Sequence, residues 1–252
     1  MIAPSFRIEP NGDFPFLEYL FPEPHTPFFI RLFLRGAAMD RALGNPATAR
    51  ELTELLIPRQ GALIAPHQVH GTFMVPGEVS YALPERPEGD GVFLDTPGVE
   101  GSLRFADCFP VVLASLAPSP WIAIVHSGFK GAVSNISGTV CENIFSANGR
   151  RPAATYAWVG PGIGRRSYNR KQNDPWTKKG LSVFSPENRD VRSADVSFDI
   201  GGQIFRQLTD AGLLPENICS LPLCTFERSD IFYSYRNGDM ENRLFLLAFL
   251  TE

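Results

Sequence analysis

Between Ala62 and Val125 glycines and prolines cut the chain into short apolar runs: Ala62 to Ile64, Thr72 to Val75, Gly91 to Leu94, Val111 to Leu116 and Trp121 to Val125. Runs of this length between turn-forming residues read as strands. No helical pattern separates them, so the regular βαβ rhythm of a doubly wound sheet is missing and the middle third is a sheet of another kind. Helical signals flank it. Asn45 followed by Pro46 predicts a capped helix that stops before Pro58. Val133, Ile136, Val140 and Ile144 predict a second, following His126 and stopping near Gly149, and Ile200, Ile204, Phe205 and Leu208 a third, ending near Gly212. Strands are also expected over Phe28 to Arg35, in a run ending at Val159 before a glycine-rich turn, and at Ile231 to Arg236 and Leu244 to Leu250. Residues 165–196, rich in charge, Pro and Asn, are expected to form a long surface excursion beside the site. The pattern predicts an α+β fold, a single layered domain of mixed β-sheets flanked by helices over residues 1–252.

A net charge of −4 provides no broad basic field for nucleic acid, which points to a small-molecule partner. The longest apolar runs are far too short to cross a bilayer, and Met1 to Leu20 lacks the basic start and apolar core of a secretion signal. The four cysteines, Cys108, Cys141, Cys219 and Cys224, form no Cys-x-x-Cys pair and are too few for a disulfide scaffold. A soluble, cytoplasmic protein with free thiols is expected. Its oligomeric state is not encoded legibly.

Chemistry concentrates in three short stretches: His67-Gln68-Val69-His70-Gly71, Ala106-Asp107-Cys108-Phe109-Pro110 and His126-Ser127-Gly128-Phe129-Lys130-Gly131. His70, Cys108 and His126 each sit at a break between elements, where side chains gather at sheet ends. Two imidazoles and a thiolate can hold zinc and leave its fourth position open, as catalytic zinc requires. The wide spacing rules out a zinc-finger knuckle and demands assembly by tertiary folding. If residues 67–70 are extended, His67 and His70 point to opposite faces; His70 is favoured as the ligand because Gly71 permits a turn, which leaves His67 beside the ligands. Asp107 is either an acceptor for a ligating imidazole or a turn residue.

These stretches, with Asp90-Gly91, Gly160-Pro161-Gly162-Ile163-Gly164, Cys224-Thr225 and Phe232-Tyr233-Ser234-Tyr235-Arg236, occur in an order that resembles the YfiH-like laccase-domain family over about residues 60–250. The resemblance implies mixed sheets flanked by helices, and Zn2+ on His70, Cys108 and His126 as the metal-binding and catalytic residues. It also implies purine nucleoside phosphorolysis, on adenosine, inosine and methylthioadenosine, together with adenosine deamination. Copper chemistry, which the family's older name suggests, is not expected: a multicopper centre needs many imidazoles, and the chain has only His25, His67, His70 and His126.

The chain departs from the family's His-Ala-Gly-Trp-Arg-Gly pattern at Ser127, Phe129 and Lys130. Lys keeps the charge but loses the fork that Arg offers a phosphate. Arg165 and Asn169 replace usual residues after Gly164, and Asn237 replaces an Arg. Lys130 and Arg236 are the candidate phosphate- or substrate-binding cations, and the Gly160 to Gly164 turn a candidate source of backbone N–H groups for an anion. One rival reading makes Cys108 and His126 a metal-free nucleophile and base, as in an amidase or deamidase. Another makes the chain a noncatalytic zinc-binding module.

Overall fold

The apolar runs at the centre of the sequence are apolar throughout because their strands are covered on both faces. The computed structural model describes residues 3–146 and 149–252. In chain order its elements are β1 (Ser5–Glu9), β2 (Phe16–Leu20), β3 (Phe28–Phe33), α1 (Ala37–Ala42), α2 (Pro46–Thr53), β4 (Ala62–Ile64), β5 (Met74–Pro76), β6 (Gly91–Leu94), β7 (Val99–Phe105), β8 (Phe109–Ser115) and β9 (Trp121–Ser127). There follow α3 (Phe129–Val133), α4 (Ile136–Phe145), β10 (Tyr156–Val159), β11 (Asn169–Lys171), α5 (Pro175–Val183), β12 (Arg189–Arg192), β13 (Asp195–Phe198), α6 (Ile200–Asp210), β14 (Ile218–Ser220) and β15 (Leu244–Leu250).

Two six-stranded sheets, ordered β1-β2-β3-β15-β7-β4 and β14-β10-β8-β9-β6-β5, form the body, and a three-stranded sheet, β11-β13-β12, lies beside them. The alternation along the second sheet assigns its two faces. Val112, Ala114, Ile122, Ile124 and Trp158 pack toward the first sheet, with Leu32, Leu103 and Phe245. Val111, Leu113, Trp121, Ala123 and Val125 pack the other way, against Val140 and Ile144 of α4 and Ile204 and Leu208 of α6. Burial of each Val, Leu or Ile side chain among these contributes about 1.5–3 kcal/mol, so the register of β8 and β9 is strongly held. Residues of α1 and α2, including Met39 and Ala49, join the core of the first sheet. The architecture is α+β, mixed sheets flanked by helices, as the sequence pattern predicts.

The capped helix forms as expected, with the Asn45 side chain accepting from the N–H groups of Ala47 and Thr48. The helix after His126 is broken into α3 and α4 at Asn135, which takes φ 57. It ends at Phe145; Ala147 and Asn148, which the expected end near Gly149 would include, lie outside the described residues.

Two expectations are corrected. Residues 165–196 lie beside the site, as expected, with Tyr168 and Arg170 lining its cavities, but they are a folded segment rather than a loop: they carry β11, α5, β12 and part of β13. Their strands of three or four residues carry exposed or half-buried charges and bury chiefly Val196 and Phe198, too little apolar surface to register as a pattern. The stretch from Ile231 to Arg236 is not a strand. Its polar groups are satisfied locally: the Ser234 N–H donates to Asp239 and the Arg236 N–H to Asp107, and the chain turns through a 3-10 segment at Tyr235–Asn237.

Candidate active site

The starts of β6 and β8 and the end of β9 coincide, because β9 pairs antiparallel with both neighbours and places Val125 opposite Gly91 and Ser127 opposite Phe109. Asp90 precedes β6, Cys108 precedes β8 and His126 is the second-last residue of β9. The loop between β4 and β5 brings His70 to the same end. The ligand atoms of His70, Cys108 and His126 all lie within 4.8 Å of one another, the one such three-residue group among the described residues. Cys108 Sγ is 3.8 Å from His70 Nε2, and the two imidazole centroids are 4.9 Å apart.

Asp90, fully buried, organises this end. Its Oδ1 lies 2.8 Å from His126 Nδ1, which leaves Nε2 free for the cluster. The same carboxylate accepts backbone N–H bonds from Val69, His70 and Gly71, so the loop is drawn onto it. Gln68 adds a two-point clamp, donating to the Arg104 carbonyl and accepting from the Arg104 N–H at 2.9 Å each. Held this way, His70 itself adopts the left-handed conformation, φ 60, rather than the glycine after it. A non-glycine residue there costs about 1–2 kcal/mol and is found where surrounding bonds compel it. His67 is exposed and stays outside the cluster, although residues 67–70 are not the extended strand assumed for that choice.

Electrostatics follow from the geometry. Burial raises the Cys108 thiol, but the adjacent His126 and His70 rings outweigh burial and bring it down to about 6. Burial likewise opposes charge on His126, but the Cys108 thiolate and Asp90 push it up to about 9. Burial would raise Asp90; the bond to His126 and the loop N–H groups lower it below the ordinary carboxylate range. Without a metal the three form a thiolate–imidazolium–carboxylate chain.

The donor set fits a tetrahedral metal. Ligands on zinc at about 2.0–2.3 Å stand about 3.3–3.8 Å apart, close to the separation of His70 and Cys108. Gly128 keeps the space open, since a Cβ there would fall 2.3 Å from Cys108 Sγ.

The remaining candidates are placed as follows. Asp107, with φ 83, turns the three-residue link between β7 and β8. Its carboxylate accepts from the Thr225 hydroxyl and the Arg236 N–H and holds neither imidazole, so the acceptor for a ligand is Asp90. Lys130 lines a cavity of about 200 Å³ with His70, Cys108 and Tyr168, its ammonium 5.3 Å from the centre of the Trp176 ring. Phe129 is buried against Tyr168, Phe184 and Phe198. Arg236 lines a second cavity at the site, about 640 Å³, with its guanidinium over Tyr168. The glycine turn offers no anion cradle: the N–H groups of Gly160, Ile163 and Gly164 donate to Pro110, Asp107 and Cys224. Arg165 faces a separate cavity, and Asn169 and Asn237 are held in local hydrogen bonds.

The sequence alone shows no role for Asp90, Gln68, Arg104 or Arg170. Asp90 stood in a motif as the residue before a Gly and a strand; Arg104 and Arg170 carried no signal beyond their charge.

Comparison with known proteins agrees with this picture. At 28% identity over 211 residues, covering 77% of this chain and 76% of the relative, the chain is similar to a protein of Xylella fastidiosa named "Purine nucleoside phosphorylase". A protein of Deinococcus radiodurans with the same name is 36% identical over 172 residues, 68% of this chain and 62% of the relative. The crystal structure of YlmD from Geobacillus stearothermophilus superposes with a TM-score of 0.83 at 22% identity, covering 98% of this chain and 99% of that one. That of the hypothetical protein YfiH of Bacillus licheniformis gives 0.81 at 17% identity, over 97% and 99%. A family model described as "Multi-copper polyphenol oxidoreductase laccase" matches residues 43–246, and the chain belongs to that family.

Proposed function

We propose that this protein is a zinc-dependent purine nucleoside phosphorylase. The observation that carries the reading is the convergence of His70, Cys108 and His126 on a cavity walled by cations and aromatic rings. The names of the relatives supply the reaction class. Held by the three ligands, a zinc ion would supply Lewis acidity, polarising an oxygen of water or substrate. Zinc is preferred to copper because the single thiolate-and-imidazole set suits it and four histidines are too few for a multicopper centre.

The chain's own residues prepare the rest. Arg236 presents positive charge to the cavity beside Arg170, which is paired with Asp174, and Lys130 does so from the smaller cavity next to it. An oxyanion is stabilised there as it approaches the ribose. Phosphorolysis joins a phosphate oxygen to C1′ and breaks the C1′–N9 bond, whose electron pair leaves with the purine. Tyr235, exposed at the cavity wall, offers a face on which the base can stack. Adenosine, inosine and methylthioadenosine share this purine–ribose unit. The proposal extends to adenosine deamination at the same site, in which water adds at C6 and ammonia departs.

The test is to incubate the protein with inosine and adenosine with and without phosphate. Free base together with ribose 1-phosphate, formed only with phosphate and lost in Cys108→Ala, supports the reading. No base release under either condition contradicts it.

A metal-free Cys108 nucleophile remains the second reading, favoured by the Cys108–His126–Asp90 chain, in which the imidazole is oriented by a carboxylate. It predicts that His70→Ala keeps its activity, whereas the zinc reading predicts its loss.

A further inference from the structure

Arginine in this protein is generally paired. Arg31 is bonded to Glu18, Arg35 to Asp239, Arg50 to Glu100 and Arg170 to Asp174. Arg86, Arg104 and Arg243 are among those that form no ion pair among the described residues, and they gather beside one another at the candidate active site. Their bonds go to backbone carbonyls only. Arg86 donates to Ala65 and Pro66, Arg104 to Gly44 and Pro66, and Arg243 to Asp239, Met240 and Asn242.

All three are partly buried, and Arg104 and Arg243 line the same 640 Å³ cavity as His70, Cys108 and His126. Burial, and then the like charges of Arg86 and Arg243, bring Arg104 down to about 10. Burial lowers Arg243 against the through-space attraction of Cys108, Tyr235, Asp239 and Asp107, none of whose side chains bonds to it. Placing like cations together away from water is unfavourable unless something negative joins them. The backbone carbonyls hold the guanidinium groups in position without cancelling their charge. Gln68 secures the arrangement, since its side chain clamps the Arg104 backbone within the loop that carries His70.

We infer that Arg104 and Arg243 form a subsite for a tetrahedral oxyanion in the candidate active-site cavity, the phosphate dianion being the chemistry that matches. The inference deepens the phosphorylase reading and rests on it for the choice of anion. Guanidinium forks engage two phosphate oxygens at once, which a lysine cannot do, so this pair anchors phosphate while Lys130 acts from the other cavity. The phosphoryl group has two sources, free orthophosphate or a 5′-phosphate carried by the nucleoside, and both are tested.

The experiment is equilibrium binding, by calorimetry, of orthophosphate and separately of adenosine 5′-monophosphate to the zinc-loaded protein. Wild type is compared with Arg104→Gln, Arg243→Gln and Arg243→Lys, with the circular dichroism spectrum and zinc content checked for each. Saturable binding weakened at least tenfold in both Gln variants, and less in Arg243→Lys, supports the subsite. Preference for orthophosphate assigns it to a co-substrate; preference for the nucleotide assigns it to a phosphorylated substrate. Absence of saturable binding of either anion to wild type, or affinity unchanged in folded Gln variants, overturns the inference. Should phosphate bind through these arginines while no nucleoside is cleaved, the subsite stands and the phosphorylase reading falls.

Discussion

The Asp90 carboxylate lies 2.8 Å from His126 Nδ1 and simultaneously accepts the backbone N–H groups of Val69, His70 and Gly71. One side chain thereby orients one ligand and folds the loop bearing another. Removing that carboxylate acts on both. Asp90→Asn should weaken zinc affinity by about 10–100-fold, the usual effect of losing a partner behind a ligating histidine. It should also destabilise the metal-free protein. Because the folded-state Asp90 is held below its ordinary value, its contribution is present at neutral pH and is lost as pH falls through and below the carboxylate range. Melting curves of wild type and variant should therefore differ at pH 7 and converge in acid. Equal zinc affinity in the two proteins would contradict the role assigned to Asp90.

Gly128 is needed for space rather than for backbone freedom, since its φ of −91 suits any residue. A methyl group there would meet Cys108 Sγ at 2.3 Å. Gly128→Ala should lower zinc occupancy at least as severely as Asp90→Asn while leaving the circular dichroism spectrum unchanged. A variant that binds zinc normally would show that Cys108 can move aside without loss.

In metal-stripped protein the Cys108 thiol is held near 6, whereas burial and Glu142 push Cys141 up to about 12. Cys108 is therefore mostly thiolate at neutral pH and Cys141 is not. Peptide mapping after brief iodoacetamide treatment should find Cys108 labelled, at a rate that climbs through pH 6 and levels off by neutrality. Cys141 should remain unlabelled, and added zinc should suppress the Cys108 reaction. A rate that rises only above pH 8 would refute the thiolate assignment.

Away from the site, Arg50 and Glu100 form a fully buried, two-point pair at 2.6 and 2.8 Å, and Glu100 also accepts the Gln60 N–H. Breaking it by Glu100→Gln should cost about 3–5 kcal/mol, because a buried cation loses its counter-charge. Replacing both partners with apolar residues should cost less. Urea unfolding of the single and double variants measures the difference.

What could be read in the chain depended on how much each segment buries. β8, β9 and β15 announce themselves because every residue in them is buried. β7 does not: its Val-Glu-Gly-Ser-Leu-Arg-Phe run includes Glu100, whose partner Arg50 lies half a hundred residues away, so a central strand looks polar. β11 and β12 are hidden because they are short, charged and cover little apolar surface. At the site, the ligands were legible as residues with distinctive chemistry, and their convergence was not, since it is created by the pairing of β9 with β6 and β8. Asp90, rather than Asp107, supports His126 for the same reason: a carboxylate adjacent in sequence to Cys108 points instead at Thr225 and Arg236, and the one that reaches the imidazole arrives from the neighbouring strand.

The reading of the site stands or falls with His70, Cys108 and His126 together holding one zinc ion. The most direct test is metal content by mass spectrometry on protein purified without a metal-affinity tag, for wild type, His70→Ala and Cys108→Ala. Near-stoichiometric zinc is expected in wild type, with its loss in both variants. Folded wild type without metal, or zinc retained when Cys108 is removed, would contradict it.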